Sequence, residues 1–183
     1  MNRFLPFLIL IFLLGLIAVS TYNLNKQQDV KTSENNEEFG IHFVKSEIAL
    51  PDFSLPNLNH DEEEFSKRDF RGKKYSLINF FASWCTTCRA EHEILLRLKK
   101  SGIVDMYGVA WHDISSNAQN YLQQHGNPFK KVANDAKGSL GQESLIQAIP
   151  ETWIVNEDGI VIWRFRGNLQ DFSIEEIQSI VLQ

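Results

Sequence analysis

Residues 75–100 read YSLINFFASWCTTCRAEHEILLRLKK. Tyr75 to Phe81 is a mostly apolar run rich in strand formers, as a strand buried on both faces should be. From about Thr86 to Lys100 the pattern turns helical. Ala90, Ile94, Leu95 and Leu98 make an apolar face, Lys99 and Lys100 suit the negative end of a helix, and Gly102 suits its stop. Trp84-Cys85-Thr86-Thr87-Cys88 lies at the handover from strand to helix. There, unsatisfied N–H groups and the positive end of the helix dipole stabilise negative charge. The thiolate is the nucleophile of thiol chemistry, and at such a position the pKa of Cys85 should fall into the roughly 3.5–7.5 range. Cys88, one turn inward, should be less exposed. The three-residue step lets its sulfur reach that of Cys85 and resolve a mixed disulfide.

The chain holds two cysteines in 183 residues. A disulfide-stapled scaffold would need more, spread along the chain. A four-cysteine zinc site is impossible. His92 would give a zinc ion one more ligand, but no second histidine stands at motif spacing. Arg89 follows Cys88, which excludes haem attachment of the C-x-x-C-H type. A purely structural disulfide would close so short a loop that it stabilises little. The residues thus predict a redox-active Cys85–Cys88 pair with no cofactor and no metal. With a net charge of −5 and no basic run beside an aromatic stack, a nucleic-acid surface is not indicated.

Further along, Ile103 to Trp111 reads as a second strand and Ser116 to Gln124 as a second helix ended by Gly126 and Pro128. A third, short helix is expected over Leu140 to Gln147. Thr152–Val155 and Ile160–Arg166 read as a hairpin around Asn156-Glu157-Asp158-Gly159. Ser173 with Glu176 makes a capping box for a last amphipathic helix. Upstream, Leu50 to Leu55 reads as a short edge strand interrupted by proline. Two strands joined by a helix make a right-handed parallel unit. The whole is expected to be an α/β domain with a central mixed sheet flanked by helices.

Residues 4–19, FLPFLILIFLLGLIAV, carry no charge and follow Arg3. At about 1.5 Å per residue they span roughly 24 Å, and Ser20 to Tyr22 extend this towards a roughly 30 Å hydrocarbon core. Residues 1–22 are therefore expected to be a membrane helix or a cleavable signal segment. Arg3 on the leading side places the rest outside the cytoplasm. Residues 23–38, NLNKQQDVKTSENNEE, read as a flexible polar linker, and residues 39–183 as the folded domain.

NFFASWCTTCRAEH (79–92), HGNPF (125–129) and IPETWIV (149–155) followed by Asp158-Gly159-Ile160 resemble the thioredoxin-like proteins. The likeness is to the cytochrome c biogenesis subfamily, the DsbE/CcmG type of thiol:disulfide interchange protein, and covers about residues 40–183. It implies the thioredoxin-like fold, and that Pro150 is a cis-proline facing the dithiol. The main chain of Ile149 would then pair with an extended substrate beside Cys85. It further implies a single-pass protein of the bacterial inner membrane with its domain in the periplasm. That domain would reduce the haem-binding cysteines of apocytochrome c, or another thiol protein of that maturation route, and be re-reduced by a membrane thiol-reducing donor. Two alternatives stand beside this: a general periplasmic disulfide reductase or oxidase, and a non-catalytic apocytochrome-binding module.

Two positions depart from the wider pattern. Many thioredoxins have a buried aspartate where this chain has Asn79, as the subfamily does. Glu151 is either its replacement, with its carboxylate near the sulfurs, or a solvated glutamate at a strand start. Thr86 stands where the subfamily usually has proline, which bears on redox poise. Trp84 is either an apolar shelf for substrate beside the dithiol or a surface packing residue. Arg89 either favours the Cys85 thiolate from the same helix face or is a solvated charge. His112 and Asp113 read as ordinary loop residues.

Overall fold

The computed structural model describes residues 42–58 and 60–182. The segments assigned to a membrane helix (1–22) and a linker (23–38) lie outside them, as does the expected domain start at Phe39. Among the described residues no helix is long and apolar enough to cross a membrane.

The centre is β4 (Tyr75–Phe81), which is buried from Ser76 onward. It pairs in parallel with β5 (Asp105–Trp111), and β5 in parallel with β6 (Lys131–Asp135). Helix α1 (Thr86–Ser101) connects β4 to β5, and α2 (Ser115–His125) connects β5 to β6. On its other side β4 pairs antiparallel with β7 (Glu151–Asn156), and β7 with β8 (Ile160–Arg166). Strand β1 (His42–Ala49) closes one edge on β8. The hairpin of β2 (Ser54–Asn57) and β3 (His60–Ser66) closes the other. The eight-stranded order is β1-β8-β7-β4-β5-β6-β2-β3. The sheet is mixed and carries helices, as the sequence predicts.

Four expectations change in detail. The strand expected over Leu50–Leu55 starts only at Ser54. Pro51 has no N–H for a ladder, and the Leu50 N–H goes instead to the Gly159 carbonyl. Strand β6, KVAND, is a third parallel strand that its polar residues conceal, although Val132 and Ala133 are fully buried. The third helix, α3, spans only Ser139–Glu143, because Leu145 turns left-handed at φ 59°. The last helix, α4 (Asp171–Val181), starts one turn earlier than a Ser173 cap would put it. Gln170 is the N-cap, and Ser173 is its partner in the capping box, its hydroxyl accepting from the Gln170 N–H at 3.0 Å.

Alternation along β4 divides the core. Leu77 and Phe81 pack with Cys88, Leu95 and Leu98 of α1, Tyr121 and Leu122 of α2, and Ile177 of α4. Ile78 and Phe80 pack on the opposite face with Phe65, Phe70, Tyr107 and Trp153. Gly108 in β5 is required by close approach: a Cβ there would lie 2.7 Å from the ring of Phe129, which stacks on Phe81.

Candidate active site

Cys85 is the N-cap of α1, with extended backbone at φ −83° and ψ 112°. Its Sγ accepts the Cys88 backbone N–H at 3.1 Å, and the Thr87 hydroxyl lies 3.3 Å away. No acidic residue occupies the first turn of α1, so nothing there opposes the field of the helix terminus. Cys85 and Cys88 form a disulfide with their Cα atoms 5.3 Å apart. Both are buried, at 5% and 3% exposure, so exposure distinguishes them little. What distinguishes them is the cap position and the partner: Cys85 Sγ lies 3.8 Å from the Ile149 carbonyl oxygen. The Ile149–Pro150 bond is cis, Ile149 is half-buried, and the Pro150 carbonyl accepts from the Gly167 N–H at 3.0 Å.

The loop before the dithiol is held at several points. Asp113, 4% exposed, accepts from the Ser83 N–H at 2.5 Å, the Ser83 hydroxyl at 2.9 Å and the Ile114 N–H at 2.8 Å. Trp84 is 58% exposed, and its indole N–H donates to the His112 carbonyl at 3.0 Å. Its ring is therefore both displayed to solvent and fixed. Arg89 does not turn to the sulfurs. Its Nε and Nη2 donate to the Ser83 carbonyl at 3.1 and 2.7 Å, and its guanidinium lies over the Tyr121 ring. Arg89 is exposed, as the reading of a solvated charge has it, and it also clamps the loop that leads into Cys85. Asp113 is likewise more than a loop residue.

Glu151 is a second correction. It is 1% exposed, so it is not a solvated strand-start residue. It also faces away from the dithiol. Strand alternation puts it with Trp153, and its Oε1 accepts from Trp153 Nε1 at 2.8 Å and Arg164 Nε at 2.6 Å. The acid on the dithiol face is Glu91, which the sequence reading did not single out. It is fully buried, three residues after Cys88 on the same helix face. Its carboxylate accepts from Asn79 Nδ2 at 2.8 Å and the Leu169 N–H at 2.7 Å, and Asn79 Nδ2 also reaches Thr152 Oγ1 at 2.9 Å. Burial pushes the Glu91 carboxyl up to about 7 against the two hydrogen bonds that favour its charge. His92 beside it is not free for a metal: its Nε2 donates to the Gly126 carbonyl at 2.9 Å, and burial lowers its pKa.

A dithiol with one sulfur at a helix N-terminus, the main chain of half-buried Ile149 beside it and a buried acid on the same helix can exchange disulfides and handle the associated proton. The Redoxin family matches residues 45–179 of the chain. The chain belongs to the Redoxin family. Within it this Redoxin protein is a thiol–disulfide oxidoreductase, similar to the thiol:disulfide interchange proteins. It is 30% identical over 181 residues to the DsbE protein of Pasteurella multocida, covering 98% of this chain and 96% of that one. Over 110 residues it is 36% identical to the HelX protein of Rhodobacter capsulatus, covering 60% of this chain and 62% of HelX. Among solved structures, a secreted disulfide oxidoreductase of Mycobacterium tuberculosis superposes with a TM-score of 0.59 at 19% identity, covering 72% and 95% of the two chains. The fold of this Redoxin domain is thus thioredoxin-like.

Proposed function

We propose that this protein is a membrane-tethered periplasmic reductase that transfers two electrons from Cys85 and Cys88 to the disulfide of an extended cysteine pair, in the first place that of the haem-binding motif of apocytochrome c. The observation that carries the reading is Cys85 Sγ at the cap of α1, 3.8 Å from the carbonyl of Ile149 at the rim of the sheet. In the reduced protein the Cys85 thiolate attacks one sulfur of the substrate disulfide. A mixed disulfide forms and one substrate thiolate leaves. Cys88 then gives up its proton, with Glu91 on its helix face as the nearby acceptor, and attacks Cys85 Sγ. The second substrate thiolate leaves, so the substrate sulfurs have gained two electrons and Cys85–Cys88 is left as the disulfide. The Ile149 main chain supplies pairing to an extended segment, and Trp84 an apolar wall. The dithiol itself is the electron carrier, so the cycle needs no bound cofactor. A membrane thiol donor restores it. Residues 4–19 would supply the tether, and the kinship with DsbE and HelX supports the maturation route.

The test is the exchange rate of the reduced protein with an oxidised Cys-x-x-Cys-His peptide against that with insulin. The peptide should react roughly ten-fold faster, about what one or two net main-chain hydrogen bonds supply. Equal rates would favour a general reductase instead. No mixed disulfide with either would leave only a binding module. Performed on membranes washed in high salt, the assay also reports the tether: activity should stay with the membranes, because salt does not screen a hydrophobic helix.

A further inference from the structure

We infer that Arg164 is a positioning residue for the substrate-docking loop, which its guanidinium fastens from the far face of the sheet at two points on either side of Ile149. The inference rests on the reading of Ile149 as the docking edge. Arg164 stands in β8 and is 5% exposed. Its Nε donates to Glu151 Oε1 at 2.6 Å, and its Nη2 to the Leu145 carbonyl at 3.3 Å. Its guanidinium lies 5.0 Å from the centre of the Trp153 ring. The chain between those two anchors, from Ile146 to Pro150, contains the carbonyl that faces Cys85. Leu145 adopts a left-handed backbone at φ 59°, which a leucine keeps only when its surroundings impose it. The bond from Arg164 to its carbonyl is such an imposition.

A purely structural ion pair would be replaceable. Buried pairs exchanged together for apolar groups often leave stability unchanged or improved. An apolar pair cannot reproduce the fork that holds a carboxylate and a carbonyl at once, and neither can the single ammonium of a lysine. The fork also explains why Glu151 is turned away from the sulfurs: it is the handle by which β8 holds the residue next to Pro150.

The experiment uses three variants of the full chain: Arg164→Lys, Arg164→Met, and the double variant Glu151→Leu with Arg164→Met, which leaves no lone buried charge. Each is measured for thermal stability, for KM and kcat with an oxidised Cys-x-x-Cys-His peptide, for the rate with 5,5′-dithiobis(2-nitrobenzoic acid), and for amide hydrogen exchange at residues 146–149. The aromatic disulfide has no main chain to dock. The peptide KM should rise about ten-fold in the double variant, and the ratio of peptide to aromatic-disulfide rates should fall with it. Arg164→Lys should show a smaller rise, and exchange at 146–149 should quicken in all three. If Arg164→Met fails to fold, the double variant decides. Recovery of wild-type stability with a raised peptide KM supports positioning. Recovery of stability and KM together overturns it and leaves a structural pair. Wild type that exchanges with neither disulfide would overturn the docking reading itself, and this inference with it.

Discussion

Cys85→Ser should abolish disulfide exchange, whereas Cys88→Ser should leave a reactive thiol that accumulates mixed disulfides. The asymmetry does not come from exposure, which is 5% and 3% for the two residues. It comes from the field and the partner. Cys85 Sγ sits at the helix cap, takes the Cys88 N–H, has the Thr87 hydroxyl beside it and faces the Ile149 edge. Each N–H or O–H that points at the sulfur favours thiolate over thiol, and the thiolate is the attacking species. Serine there keeps the shape and loses the nucleophile, so activity should drop to background. Cys88 lies one turn inside the helix, and its task is to break the bond formed by Cys85. Without it the first bond persists. Non-reducing gels of both variants, mixed with an oxidised Cys-x-x-Cys-His peptide, decide the matter. Trapping by the Cys85 variant and none by the Cys88 variant would invert the assignment.

Glu91→Gln should change how stability depends on pH. The folded carboxyl titrates at about 7, against 4.5 for an ordinary one, because burial penalises its charge. Between those values the unfolded chain has released this proton while the folded protein still holds it. Stability therefore falls as pH rises through the window, at about 1.4 kcal/mol per pH unit, or about 3 kcal/mol in all. Glutamine keeps the acceptor for Leu169 N–H but cannot titrate. The stability of wild type minus that of the variant should thus fall by about 3 kcal/mol from pH 4.5 to 7. Taking the difference removes the contribution of His92, which titrates in both proteins. Parallel curves from chemical denaturation would show that Glu91 is charged throughout. The variant should also flatten the pH dependence of the resolving step, for which Glu91 is the proposed proton acceptor.

Much of this was legible in one stretch of sequence. A buried run, a helix and two cysteines at their junction placed the dithiol at a helix N-terminus, and the structure puts Cys85 at the cap. Glu91 was readable in principle. It falls three residues after Cys88 and four and seven before Leu95 and Leu98, so the acid lies on the apolar stripe itself. Asp113 gave no such signal, because its partner Ser83 is thirty residues away and meets it only through the β4–β5 pairing. Glu151 was misplaced because the proline loop was read as a whole. Period-two alternation with Trp153 sends its side chain to the other face. Strands β1 and β3 were missed at the edges of the sheet, where polar residues weaken any pattern, while the edge strand expected over Leu50–Leu55 is β2 with its bounds shifted.

In the proposed cycle the Cys85–Cys88 pair works as a reductant. Equilibrating the purified domain with defined ratios of reduced and oxidised dithiothreitol gives its reduction potential. The value should lie below about −200 mV, in the range of reducing dithiols. A value near about −120 mV, that of a strong dithiol oxidant, would contradict it and reverse the direction of electron flow.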